Sequence, residues 1–143
     1  MLNNRCMTGP DMLTRLRSPS VGTRISATYE LERGDFNDSR ILSAVRENLA
    51  SDDPDLLDIS IMRLLLRGRD VNSVERVLEH VESTRDDLVL SSGVLSLSGL
   101  ARHFPAIGEE VLRRLELLPD ERLNPNNMAL LADTIAELRE LTA

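Results

Sequence analysis

The chain predicts an all-α fold, built as a stack of antiparallel helix hairpins with about five to six helices. Three observations carry that expectation. Aromatic residues make up only 2% of the 143 residues, namely Phe36, Phe104 and Tyr29. The core must therefore be aliphatic and Leu-dominated, which suits helix-on-helix packing better than sheets. From about Asn37 onward, apolar residues recur at helical spacing. Two segments also repeat one another at an offset of 33 to 34 residues.

Taken in order, residues 1–24 read as a flexible basic leader, with Gly9, Pro10, Pro19 and Gly22 breaking any regular pattern. Four Arg (Arg5, Arg15, Arg17, Arg24) stand there against the single acid Asp11. No continuous apolar run marks a secretory signal; the Arg- and Ser-rich composition faintly resembles a mitochondrial presequence, but a disordered tail, or a start codon assigned too early with Met7 and Met12 following, fits it better. Residues 25–143 read as one helical-repeat domain. Its first segment, "ISATYELERGD", alternates at Ile25, Ala27, Tyr29 and Leu31 like a strand, yet also fits a short helix. Ile41, Leu42, Val45 and Leu49 share one helical face. In "SDDPDLLD", Asp53 is placed to cap and Pro54 to take the first helical position, with Asp55 and Asp58 near the positive end of the helix dipole. That helix carries Leu57, Ile61, Leu64 and Leu65 to Gly68. Asp70 or Asn72 starts the next, striped with Val74, Val77, Leu78 and Val81. Thr84 and Asp87 stand at capping-box spacing before a fourth helix. Pro105 opens a fifth through Ile107, Val111, Leu112 and Leu115, and Asn124–Pro125 opens a last one through Met128, Leu131, Ile135 and Leu138.

The stretch "DDLVLSSGVLSLSGLARHF" poses a choice between a serine nucleophile loop and a helix. Read as a helix, Leu90, Val94, Leu97, Ala101 and Phe104 form a stripe, and Gly93, Ser96, Ser98 and Gly99 become small residues that admit a neighbouring backbone. No Ser sits between glycines at the G-x-S-x-G spacing of a nucleophile elbow. Helix packing is the stronger reading.

The net charge of −7 argues against a general nucleic-acid binder, which needs basic groups opposite phosphates. After residue 24, 13 Arg face 23 acids, an acidic body suited to basic partners. All basic residues are Arg, with no Lys. The lone Cys6 excludes an internal disulfide and fits a reducing, cytoplasmic setting. Two His and one distant Cys do not make a zinc site, and "DDPDLLD" lacks the glycine and ligand alternation of a calcium loop. His80 reads as a solvated surface residue and His103 as a helix C-terminal cap. Arg67, Arg69, Arg102, Arg113, Arg114 and Arg139 fall in later turns, where complementing the dipole accounts for them. No apolar run approaches the ~20 residues of a membrane span. No catalytic residue, cofactor or metal is expected.

The two repeating segments pair Leu57, Ile61, Leu64 and Val74 with Leu90, Val94, Leu97 and Ile107, and then Val77, Leu78 and Val81 with Val111, Leu112 and Leu115. Each unit is helix, tight turn, helix. This pattern, over roughly residues 37–141, resembles HEAT-like α-hairpin repeats. The chain departs from them in lacking a proline inside the first helix and a clear inter-helix Asp/Arg pair, for which Asp70 and Arg76 are the nearest substitutes. The resemblance implies a short right-handed α-solenoid whose units stack because each buries one face only against its neighbours. An acidic helical stack of this size also resembles bacterial immunity proteins, which neutralise a cognate toxin, often a basic nuclease, by covering its cleft. The expected function is therefore a non-catalytic protein-binding module, most specifically an acidic immunity protein that occludes a basic toxin. The expected partner-binding residues are Asp52, Asp53, Asp55, Asp86, Asp87, Glu109 and Glu110. Their alternative role is to cap and solvate helix starts. A HEAT-like adaptor or regulatory subunit of a larger complex is the alternative function. An enzyme resembling HEAT-like DNA glycosylases fits worse, because those need a basic concave surface.

Overall fold

The computed structural model describes residues 9–31 and 36–143. Cys6, Arg5 and residues 32–35 of "ISATYELERGD" lie outside the described residues. Everything regular that is described is helical, with no strand among the described residues. There are eight α-helices there rather than five to six: α1 (Gly9–Leu16), α2 (Val21–Glu30), α3 (Ser39–Glu47), α4 (Pro54–Met62), α5 (Val74–Ser83), α6 (Asp87–His103), α7 (Gly108–Glu116) and α8 (Pro125–Thr142).

The additional helices come from the N-terminal third. Residues 9–24, expected as part of a flexible leader, hold α1 and the start of α2. Met12 and Leu16, one turn apart in α1, are buried in the core, and Arg15 donates to Glu30 at the end of α2 at 2.6 Å. Glycine and proline near a helix start do not prevent it: Gly9 and Pro10 are its first two residues, where proline's missing N–H has no intrahelical partner to lose. Pro19 and Ser20 then form the break, and the Ser20 hydroxyl accepts the Thr23 amide to start α2. The strand-like alternation at residues 25–31 is part of that helix.

Farther along, the local signals hold. Asp53 accepts the amides of Asp55 and Leu56 at 3.0 and 3.1 Å, with Pro54 at the first helical position. Asn124 accepts the Asn127 amide at 2.7 Å ahead of Pro125. The cap of α6 is Asp86, which accepts Leu88 and Val89 at 3.0 Å each. Thr84 instead accepts the Asp86 amide, so the capping box expected from Thr84 and Asp87 is displaced by a single short carboxylate that reaches both free amides. α4 runs on through a π-helical turn, Arg63–Arg67, and ends with the Asp70 amide donating to the Leu64 carbonyl.

The even-numbered helices pack in series, α2 on α4, α4 on α6 and α6 on α8; α5 packs on α6, α7 on α6 and α8, and α1 on α2 and α3. Across α4 and α6, the Ser92 hydroxyl donates to Asp58 near their N-terminal ends. Leu66 lies over Gly99 near their C-terminal ends. The two helices therefore run in the same direction and level with one another. The residues paired at offsets of 33 and 34 are buried in both members, except Ile107 and Leu112, which are partly buried.

Candidate protein-binding surface

The level packing of α4 and α6 brings five of the seven expected residues to one edge of the molecule. Asp52, Asp53 and Asp55 stand at the start of α4, and Asp86 and Asp87 at the start of α6. The start of α8 joins them, because Asn127 Nδ2 donates to the Asp87 carbonyl at 3.3 Å. Two of the five carboxylates, Asp53 and Asp86, are occupied as helix caps. Asp52, Asp55 and Asp87 are exposed.

Glu109 and Glu110 are not part of that edge. They open α7, and a Cβ on Gly108 would lie 2.9 Å from Thr142 in the last turn of α8. α8 is 18 residues long, so this pair stands roughly 27 Å from the start of α8 at 1.5 Å per residue. Glu110 is also engaged: Arg113 donates to it at 2.7 and 3.0 Å and Arg114 at 3.2 Å. Hydrogen bonds from Arg113 and then Arg114 hold its carboxyl below the usual range.

Arg114 does more than complement a dipole. Its guanidinium, 13% exposed, joins Glu82 at 2.6 Å, Glu75 at 2.9 Å and Glu110. These are charge-assisted bonds that clamp α5 to α7, and the carboxylates, Glu82 first, raise its pKa further. Arg122, from the loop after α7, donates to the carbonyls of Val81, Glu82 and Thr84, closing the C-terminal end of α5. On the far side of α6, Ser98 and Arg102 donate to Glu137 at 2.7 and 3.1 Å and hold it below the usual carboxylate range.

Asp52 and Asp53 also line a groove of about 760 Å³ with Arg24, Glu47 and Ser51. Arg24, one of the residues lining this groove, has a buried Nε without a hydrogen-bond acceptor. Arg17 donates to Glu47 at 3.0 Å from α1's end.

Three side chains read from sequence take other roles. Asp70 pairs with Arg46, not Arg76: Nε and Nη2 donate to its carboxylate at 2.7 and 3.0 Å, while Arg76 reaches only the Arg46 carbonyl. Arg76 lies on the exposed side of α5, so its side chain leads away from the buried carboxylate before it. His80 is partly buried rather than solvated, with Nε2 2.6 Å from the Leu49 carbonyl. His103 is exposed, and the C-terminal cap of α6 is the Phe104 amide on the Leu100 carbonyl.

The sequence reading missed a set of exposed apolar side chains on the outer face of α4 and α6: Met62, Leu66, Leu88 and Leu95. A signal for them was present. The buried stripe Leu90, Val94, Leu97 and Ala101 leaves Leu88, Leu95 and Gly99 on the opposite side of the same helix. Among the described residues no group of three or more His, Cys, Asp or Glu is placed to hold a metal ion, and no helix is long and apolar enough to cross a membrane. No protein-family model, curated protein or solved structure matches the chain.

Proposed function

We propose that the chain is a non-catalytic protein-binding module, most specifically an acidic immunity protein that neutralises a cognate basic toxin by covering its active cleft. The observation that carries this reading is the acidic edge, where parallel α4 and α6 set Asp52, Asp53, Asp55, Asp86 and Asp87 side by side. On a body of net charge −7, such an edge raises the encounter rate with a basic surface and fixes its orientation. The series packing of α2, α4, α6 and α8, with α5 and α7 against it, supports treating the helices as a HEAT-like hairpin stack. Stacked hairpins present the helix starts of successive units along one edge, which is how separate acidic first turns become one surface.

A regulatory adaptor is the second reading, favoured by the exposed apolar residues of the α4–α6 face, since permanent assemblies bury more apolar surface than charge-steered pairs. Co-expression with the product of the neighbouring gene separates the two. An immunity protein rescues cells from a toxic neighbour, and its capture of that protein weakens as salt rises. A salt-resistant, multi-subunit assembly without rescue sinks the immunity reading and leaves the adaptor.

A further inference from the structure

The outer face of α4 and α6 is graded along its length. At the N-terminal end stand Asp55 and Asp87, both exposed, and Asp58, which holds Ser92. Leu88 follows, one residue after Asp87 and 58% exposed. The cross-helix pairs Asp58–Ser92 and Leu66–Gly99 set the register between the two helices. That register places Met62, 37% exposed, level with Leu95, 52% exposed, one turn before Leu66, 44% exposed, meets Gly99. Gly99 carries no side chain of its own, so the apolar band has a shallow floor there, flanked by Leu66 and Leu95.

The apolar half of this face is not accounted for by the fold. The core is complete without these side chains: Leu56, Ile61, Leu64, Leu65, Leu97 and Leu100 on the inner sides of the same elements are fully buried. An acidic helix start by itself only complements a dipole. An apolar band continuous with an acidic end is different, because it matches one kind of partner surface: an apolar stripe that ends in positive charge. Parallel helices lying side by side leave a groove between them whose natural filling is a third helix, read through residues at i, i+3, i+4 and i+7. The negative charge of the whole molecule disfavours a second copy, since pairing would set acidic bodies together.

We infer that the α4–α6 face docks one amphipathic helix of a partner protein, its leucine-type stripe covering Leu66, Met62 and Leu95 and its basic end meeting Asp55 and Asp87. The inference rests on the binding-module reading above and names where on the surface, and by what chemistry, the partner is held. The carboxylates orient the helix and speed its arrival; burial of the leucines supplies the affinity.

The probe is a fluorescein-labelled synthetic helix of about 16 residues, enough to cover the face at 1.5 Å per residue. It carries a leucine stripe and an arginine-rich last turn, and a companion peptide carries glutamates in place of the arginines. Fluorescence anisotropy is expected to show the arginine peptide binding at least about tenfold more tightly than its companion at low salt. Leu95→Arg is expected to weaken it by at least about tenfold, the scale set by burying one leucine. Leu117→Arg, at an exposed leucine outside this face, is expected to leave it unchanged. Both leucines are exposed, and circular dichroism confirms that the variants fold. Failure of the wild-type protein to bind the arginine peptide, equal binding of the two peptides, or indifference to Leu95→Arg overturns the inference. So does sedimentation velocity showing a dimer that Leu95→Arg dissolves, which would make a second copy the occupant. Peptide binding without rescue from a toxin sinks the immunity function and keeps this face. Rescue that survives Leu95→Arg sinks this face and keeps the function.

Discussion

Asp70, only 4% exposed, is the one charged residue in the buried class among the described residues. It accepts two hydrogen bonds from Arg46, one from the Ser73 hydroxyl at 2.5 Å and one from the Asn72 amide at 3.3 Å. Burial pushes its carboxyl up, but the bonds from Arg46 and Ser73 outweigh burial and hold it below the usual carboxylate range. The sign follows: the folded state binds this proton more weakly than the unfolded chain, so the stabilisation is complete above an unfolded pKa of about 3.9 and is lost as pH falls through the lower folded value. Asp70→Asn is expected to cost about 2 kcal/mol at pH 7 by urea denaturation. That is below the 3–5 typical of a broken buried pair, because Arg46 is 34% exposed and can turn to water. Near pH 3 the gap between wild type and variant should narrow; a constant gap would show that Asp70 acts by shape and not by charge. Its neighbour Arg69 has φ of 49°, while Gly68 is kept small for another reason, since a Cβ there would lie 2.8 Å from the buried Phe36 ring. Arg69→Gly is therefore expected to raise stability by about 0.5–1 kcal/mol, and Gly68→Ala to lower it, as read from thermal or urea midpoints.

At the scale of an element, α6 shows how one helix serves a core and a surface at once. Its two interior glycines look equivalent in sequence and are not. A Cβ on Gly93 would lie 2.3 Å from Val81 Cγ2, a fully buried side chain on α5. A Cβ on Gly99 would lie 2.5 Å from Leu66 Cδ2, the far end of a half-exposed side chain that can swing outward. Replacing Gly by Ala in a helix gains about 1 kcal/mol of propensity, whereas overpacking a closed site costs about 1–3 kcal/mol. Gly99→Ala is expected to stabilise by up to about 1 kcal/mol and Gly93→Ala to destabilise by about 1–2. Two urea titrations decide it, and movement of both midpoints in the same direction would remove the distinction. The small-residue reading of this helix was legible from its composition. Which small residue meets a closed neighbour and which an open one depends on α5 and α4, and no spacing within α6 encodes that.

At the scale of the whole molecule, the seven acids expected to meet a partner are divided between two ends. The helix starts of α4 and α6 carry the exposed Asp52, Asp55 and Asp87, and Glu109 and Glu110 stand by the last turn of α8. Long-range attraction of a cation therefore depends on which end it approaches. In stopped-flow association with a polyarginine peptide at low salt, the pair Asp55→Asn and Asp87→Asn is expected to slow the on-rate about threefold. Glu109→Gln alone is expected to change it little if arrival is governed by the α4–α6 edge. The difference should vanish near 0.5 M salt, where screening acts within about 4 Å. Equal effects at both ends would mean that net charge, not its placement, governs arrival.

Caps, proline starts and buried stripes are legible in the amino-acid sequence by itself. Asp53–Pro54, Asn124–Pro125 and the positions paired at 33 and 34 residues depend on hydrogen bonds and side-chain neighbours within a turn or two, which the order of residues states directly. The helical identity of residues 9–24 was hidden because its stripe is short and its glycines and prolines imitate a loop; Met12 and Leu16 are secured by packing against α2 and α3. The choice of Arg46 over Arg76 for Asp70, the separation of Glu109 and Glu110 from the other five acids, and the register that sets Leu66 over Gly99 were decided only in three dimensions. A long side chain pairs with whatever lies within its reach once helices cross. That depends on the angle and register of elements 20 to 40 residues apart, quantities to which no local pattern in this chain corresponds.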